Sequence, residues 1–271
     1  MALVQAGGDG APVRLAYRPH AGDTLRLVFE QRAELASRPA GATADADTSA
    51  RRTSSGFRVY SRVIVDSSNA AGALVTSMVD SVEVRWNDQV MPAMGQQIQR
   101  ALAGVATRMR ILPDGAVRME SARMAPGAPA SSAVPMASPA MLPRAPVRVG
   151  ETWTGSIPVP SAGPLGPSAD GSLENTYRLD SLGGGGRTAW ISVHGFFMPD
   201  ANQDSVGRTT AGSVVGVLRL DQRRGWITDS RLTILLRTRT GPAADTTGAG
   251  TVFDMRITQR VRAMDNRQGG G

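Results

Sequence analysis

The chain has only two histidines, His20 and His194, for acid–base or metal chemistry, and it has no cysteine. His20 lies in a Pro-His-Ala-Gly turn, and His194 lies in the alternating segment Trp190-Ile-Ser-Val-His. A nucleophilic triad needs a base beside a serine or threonine, and no Gly-x-Ser-x-Gly elbow is present. We interpret His20 as a solvated loop residue and His194 as a residue packed on a sheet face. The sequence therefore predicts no catalytic, cofactor-binding or metal-binding residue.

Carboxylates could perform acid–base chemistry without histidine, as they do in glycosidases. The candidates are Asp23, Glu151, Asp200 and Asp204. Asp23 and Glu151 each follow a glycine at the start of a strand, where a carboxylate accepts backbone N–H bonds. A repeated structural role explains that pair better than catalysis. A carboxylate-based hydrolase remains an alternative.

Metal sites are not favoured by the spacing of the other polar residues. Asp200 and Asp204 lie in one polar loop, and Asp45-x-Asp47-x-Ser49 is a second acidic segment. Both lack the glycine and terminal glutamate of an EF-hand loop, so we interpret them as solvated turns. The irregularly spaced Met124, Met136 and Met141 indicate apolar contact with the body of the protein, not a soft-metal site.

All thirty basic residues are arginine, and the net charge is +7. Codon bias in a GC-rich genome is one explanation. An anion-binding surface is the other, because guanidinium groups grip phosphate and carboxylate bidentately. The arginines are spread along the chain among acidic residues, and aromatics make up only 4% of it. This distribution does not favour a nucleic-acid partner.

Period-2 alternation predicts a mainly β protein. The apolar spacing from Ala93 to Ala106 predicts its one short helix. The chain start lacks the features of a secretory signal, and no stretch reaches the ~20 apolar residues of a membrane span. Strands are expected at 24–35, 57–66, 73–86, 107–112, 116–120, 152–159, 172–182, 188–197, 212–221, 226–240 and 251–264, with a hairpin loop at glycines 183–186.

The domain organisation follows from a change in composition. Residues 121–145 are rich in Pro, Ala and Met and predict a linker or long surface crossing. A first β half with the helix is expected over 14–120 and a second β half over 146–264. Disordered termini are expected at 1–13 and 265–271.

Two local patterns recur in the same order. Gly22-Asp-Thr and Gly150-Glu-Thr each open a strand after a proline-containing approach. Tight hairpins follow near Gly115 and Gly225. Paired landmarks of this kind predict two related antiparallel halves, as curved sheets or half-barrels.

The same landmarks resemble an uncharacterised family of bacterial exported proteins and lipoproteins. The segment Leu142-Pro-Arg-Ala-Pro-Val-Arg-Val-Gly-Glu-Thr-Trp153 is similar to that family's central "LPxxPVxVGxTW" strand, and the Gly22 segment is similar to its leading "pGDT" strand. The resemblance covers most of residues 15–264. It implies a periplasmic or extracellular location, and it implies no activity or site residue. The lipobox cysteine of the lipoprotein members is absent.

We therefore expect a non-enzymatic cell-envelope or secreted β protein that acts as a binding or structural module. A second interpretation is a carrier like the periplasmic lipoprotein carriers, with a lipid or another hydrophobic ligand in a cavity between the halves. The partner itself stays unknown from the sequence, and a contiguous arginine stripe would favour an anionic one.

Overall fold

The computed structural model describes residues 10–39, 51–123, 141–159, 171–199, 208–240 and 250–264. The helix α1 spans Pro92–Leu102, between the fourth and fifth strands. The strands are β1 (Thr24–Pro39), β2 (Arg51–Asn69), β3 (Gly72–Trp86), β4 (Gln89–Val90), β5 (Ala106–Ile111), β6 (Val117–Arg123), β7 (Thr152–Val159), β8 (Gly171–Gly183), β9 (Thr188–Pro199), β10 (Arg208–Asp221), β11 (Trp226–Thr240) and β12 (Thr251–Met264).

All twelve strands belong to one antiparallel sheet, which does not close within the described residues. Its order is β6-β5-β3-β2-β1-β12-β11-β10-β9-β8-β7, and β4 pairs only with β3. The first and last strands pair at the centre, from Arg26 opposite Met264 to Pro39 opposite Thr251. The mainly β prediction with one short helix is confirmed. The predicted halves lie in one continuous sheet.

The core lies on one face of this sheet, which we call the inner face. Leu25 and Leu27 of β1 point to it and are buried, whereas Arg26 between them is exposed. Met109 of β5 and Leu179 of β8 belong to the same buried cluster although their strands lie near opposite ends of the order. The sheet therefore curls around its core. A second cluster contains Leu173, Phe197, Val214, Ile234, Leu236 and Ile257.

Two irregular segments cover one end of the curled sheet. Val13 and Val147 exchange backbone hydrogen bonds of 2.8 and 2.9 Å. The amide of Tyr17 donates to Pro113, and that of Leu142 donates to Asp114, both in the β5–β6 turn. Tyr17 and Leu142 are buried in the main cluster. Val13 therefore pairs although the sequence places it in the N-terminal tail. Leu142 belongs to the core although it falls in the predicted linker, whose residues 124–140 lie outside the described residues.

The helix ends earlier than the sequence predicts. It stops at Leu102, and Ala106 instead begins β5, opposite Met78 of β3. The apolar spacing continues past the helix because Leu102 and Val105 are both buried. The helix packs where β5 no longer pairs with β3, and Gln99 donates to the Asp80 carbonyl there. It thus covers an otherwise open stretch of strand edge.

Candidate functional site

The residues that could do chemistry are not brought together. His20 is exposed, and its Nδ1 lies 3.5 Å from the Asp23 carboxylate. His194 is exposed on the outer face of β9, opposite Val215. Within the described ranges, no group of three His, Asp or Glu side chains could hold a metal ion. Asp200, Asp204 and the Asp45–Ser49 segment lie outside the described residues.

Asp23 and Glu151 occupy two turns with the same hydrogen bonds. Each carboxylate accepts a bond from the amide three residues earlier, His20 in one turn and Arg148 in the other. Each preceding glycine donates to the neighbouring strand, Gly22 to Val65 and Gly150 to Leu179. The amides of Val65 and Leu179 in turn donate to the carbonyls of the two acids. This agrees with the structural role that the sequence predicts for both acids.

A broad concave surface lies on the outer face of the sheet. Two adjoining cavities of about 970 and 550 Å³ share Arg32, Ser54 and Asp88. The alternation of each strand assigns their charged side chains to the face opposite the core. We call this surface the arginine groove. It contains eight arginines (Arg32, Arg52, Arg58, Arg85, Arg231, Arg237, Arg256 and Arg260) and five carboxylates (Glu30, Glu34, Glu83, Asp88 and Asp254).

Strand register builds the groove from residues far apart in the sequence. One cross-strand row contains Arg58, Glu30 and Arg260, from β2, β1 and β12. Two residues further along the strands, Arg32 lies opposite Thr258. Two residues further again, Glu34 lies opposite Arg256. The pairing of the first strand with the last therefore joins distant arginines into one surface.

Carboxylates neutralise part of the groove. Arg32 contacts both Glu34 and Asp88 at 3.0 Å. Arg237 pairs with Asp254, and the hydrogen bond from this guanidinium, together with the nearby carboxylate charge, raises the pKa of Arg237. Eight arginines against five carboxylates leave the groove with a net charge of +3. Surface pairs of this kind contribute little stability, so they remain exchangeable for another anion.

Several guanidinium groups have unused donors. The side chain of Arg256 is exposed and makes no ion pair or hydrogen bond with the described residues. The Nε atoms of Arg58, Arg260 and Arg262 are buried with no hydrogen-bond partner there. The Nε of Arg58 lies 3.1 Å from Glu30 but lacks the angle of a hydrogen bond. Unpaired donors on buried charged groups are costly, and the exposed Arg256 guanidinium is the donor group that an added acceptor can reach.

The pKa of Arg58 is raised by the groups around it. Burial opposes its charge, but a hydrogen bond with Tyr60 and the charges of Glu30 and Glu83 outweigh that effect and raise the pKa. The guanidinium therefore keeps its charge throughout the physiological range.

The sequence did not reveal this groove. Its arginines alternate with apolar residues in strands that the sequence identifies correctly, such as Arg256 and Arg260 beside Ile257. Alternation assigns them to the outer face, but it does not show that β12 pairs with β1. Arginines that are scattered along the sequence therefore lie together on one surface of the folded sheet.

The two buried clusters lie on the inner face, and both cavities of the groove lie on the opposite face. No helix in the described part of the chain is long and apolar enough to cross a bilayer.

Comparisons with known proteins assign no family. No family model matches the chain, and no curated protein matches it. One similar solved structure is DynF from the dynemicin biosynthesis pathway of Micromonospora chersina, at 10% identity and a TM-score of 0.22, over 99% of this chain and 95% of that one. Another is the outer membrane protein OprG from Pseudomonas aeruginosa, at 6% identity and a TM-score of 0.18, over 92% and 98% of the chains. At these TM-scores neither likeness identifies a fold or a function.

Proposed function

We propose that this protein is a non-enzymatic binding module that holds an anionic ligand in the arginine groove. The supporting observation is the excess of guanidinium groups over carboxylates on one concave surface. Arginine suits this role because its planar fork of donors matches phosphate and carboxylate geometry.

The dimensions of the groove favour an extended ligand. From Glu30 to Ala36, six residues of β1 span roughly 20 Å at the usual rise of a strand. Arginines lie at both ends of this length, with Arg58 and Arg260 at one end and Arg52 and Arg237 at the other. The ligand class is therefore a linear molecule that carries several phosphate, sulfate or carboxylate groups.

Binding of short-chain inorganic polyphosphate tests this function. Fluorescence anisotropy of a labelled chain, titrated with the protein between 25 and 300 mM NaCl, should show saturable binding that weakens steeply with salt, because salt screens the attraction between exposed charges. A labelled neutral dextran of equal length should not bind. Absence of binding at low salt, or an affinity that does not depend on salt, would refute the proposal.

We also propose that the protein acts in the bacterial envelope or outside the cell. The resemblance of residues 142–153 to the exported family supports this location. Fractionation of the native cells, with detection by an antibody, tests it; recovery of the protein with the cytosolic fraction would contradict it.

We infer further that the chain contains two related halves, each introduced by one of the matching turns. The identical hydrogen bonds at Gly22-Asp23 and Gly150-Glu151 support this. Each turn also precedes a meander of antiparallel strands, β1–β3 in one half and β7–β9 in the other.

A further inference from the structure

Beside the arginine groove, the outer face of the sheet changes from charged to apolar. Six large apolar side chains on three neighbouring strands are between 44% and 55% exposed there. We call this surface the apolar strip. It consists of Trp190, Phe196 and Met198 of β9, Val215 and Val217 of β10, and Leu235 of β11.

Register makes the strip continuous with the groove. Phe196 lies opposite Ser213, and Ser213 lies opposite Leu235. Leu235 in turn lies opposite Arg256, whose guanidinium pairs with no described side chain. The apolar surface therefore begins one strand away from that free guanidinium.

Arginines border the strip on its β11 side and beside Trp190. Val217 lies opposite Arg231, and Arg219 lies opposite Trp190. The guanidinium of Arg219 lies 5.9 Å from the centre of the Trp190 ring. Between these borders, the outward positions of β9 and β10 contain no carboxylate from Ser192 to Phe196 or from Val217 to Ser213. On the β8 side, Glu174 lies opposite Phe196 and Asp180 accepts a hydrogen bond from Ser192. The positive charge therefore lies on the side of the strip that faces β11 and the groove.

We propose that the apolar strip docks on the surface of an anionic lipid bilayer, with the neighbouring arginines on the headgroups. This inference rests on the proposed function, since it makes lipid phosphate one source of the anion in the groove. Interfacial binding of this kind combines buried apolar surface with attraction to anionic lipids. Tryptophan and arginine suit the boundary between the headgroups and the acyl chains, because each combines an apolar part with a polar end.

The dimensions of the strip do not fit a second copy of the chain. Three strands at about 4.8 Å spacing and nine residues along β9 cover roughly 400 Å². A stable protein interface needs about 800 Å² on each partner. A two-fold contact through the strip would also bring its bordering arginines close to their own copies, whereas anionic headgroups complement them.

Vesicle binding tests the inference with a reporter inside the strip. In a Trp86→Phe background, Trp190 is the one exposed tryptophan, since Trp153 is partly buried and Trp226 is buried. Sedimentation with phosphatidylglycerol–phosphatidylcholine vesicles should recover the protein at low salt, and the tryptophan emission should shift to the blue. Pure phosphatidylcholine vesicles should recover at least tenfold less.

A matched pair of variants separates the strip from apolar exposure in general. Val215→Thr with Val217→Thr and Met198→Thr, at strip positions that do not line the groove, should lower vesicle partitioning at least tenfold. Val90→Thr with Met119→Thr and Val149→Thr, at exposed positions elsewhere, should change it less than twofold. Equal effects of the two sets, or vesicle binding without a shift in emission, would overturn the inference. If the wild type and the control variant self-associate in sedimentation velocity and the strip variant does not, the partner of the strip is a second copy of the chain and the inference is overturned.

A polyphosphate titration distinguishes a failure of the docking surface from a failure of the proposed function. The strip variant should bind polyphosphate within twofold of the wild type. Polyphosphate binding without vesicle binding would refute the docking surface alone. If the wild type binds neither vesicles nor polyphosphate, the anion-binding groove is refuted as well.

Discussion

Gln259 donates a hydrogen bond from Nε2 to Oε1 of Gln31, 2.8 Å away, where the last strand of the chain pairs with the first. Both side chains lie on the inner face, and Gln31 is only 6% exposed. The pair satisfies two amides at the centre of the sheet, where burial without partners would be costly.

Gln31→Leu should therefore destabilise the protein by about 1–3 kcal/mol, because the Gln259 amide loses its partner in a buried site. Adding Gln259→Leu should restore most of that loss, since both polar groups are then removed. Urea denaturation of the four proteins in the cycle measures the coupling. Simple additivity of the two single changes would show that this hydrogen bond does not join the strands.

Gly22→Ala and Gly150→Ala should each cost about 1–2 kcal/mol, and the two costs should agree closely. Both glycines have positive φ values, +85° and +93°, and an added Cβ would meet no atom within 4 Å. The cost is therefore backbone strain alone. Gly10→Ala, with equal space and no positive φ, is the control and should be neutral in thermal unfolding. Unequal costs at the two turns would argue against their equivalence.

Burial raises the pKa of Tyr177, and the bonds from Met141 and Asn175 only partly oppose this. An unfolded tyrosine titrates near pH 10, so stability does not depend on this group below that pH. Above it the unfolded chain loses its proton first, and stability falls as the pH rises toward the folded-state pKa. Tyr177→Phe should flatten this decline in urea denaturation between pH 8 and 11. An unchanged alkaline slope would exclude Tyr177 as its source.

The sequence predicts local structure well because its strands alternate clearly. The expected strand at residues 152–159 matches β7, and those at 226–240 and 251–264 match β11 and β12. The glycine run at 183–186 forms the expected hairpin, with positive φ at Gly184, Gly185 and Gly186. Local patterns of side chains and turn residues are sufficient for these elements.

The site could not be predicted in the same way, because strand order is not a local property. Nothing in the composition of β1 or β12 shows that they pair across more than 200 residues. Arg256 and Glu34 therefore become neighbours only in the folded sheet. The helix boundary was wrong for a related reason, since pairing with β3 makes Ala106 part of a strand.

Glu30→Gln should strengthen anion binding while weakening the fold. The Glu30 carboxylate lies 3.1 Å from both Arg58 and Arg262, so it competes with any ligand for their donors. Its removal raises the net charge of the groove by one. Polyphosphate affinity should rise about three- to tenfold, and stability in urea should fall by roughly 1 kcal/mol. Weaker binding would show that Glu30 orients these arginines productively.

The most direct test of the anion-binding groove compares Arg256→Gln with Arg118→Gln in the polyphosphate titration. Arg256 lies in the groove and its guanidinium pairs with no described residue, whereas Arg118 is exposed on β6 outside the groove. Both changes remove one positive charge, so they separate position from net charge. Arg256→Gln should weaken binding about tenfold, the range of a charge-assisted hydrogen bond, while Arg118→Gln should change it less than twofold. Equal losses would show that the protein attracts anions only through its overall charge, which would contradict a built groove.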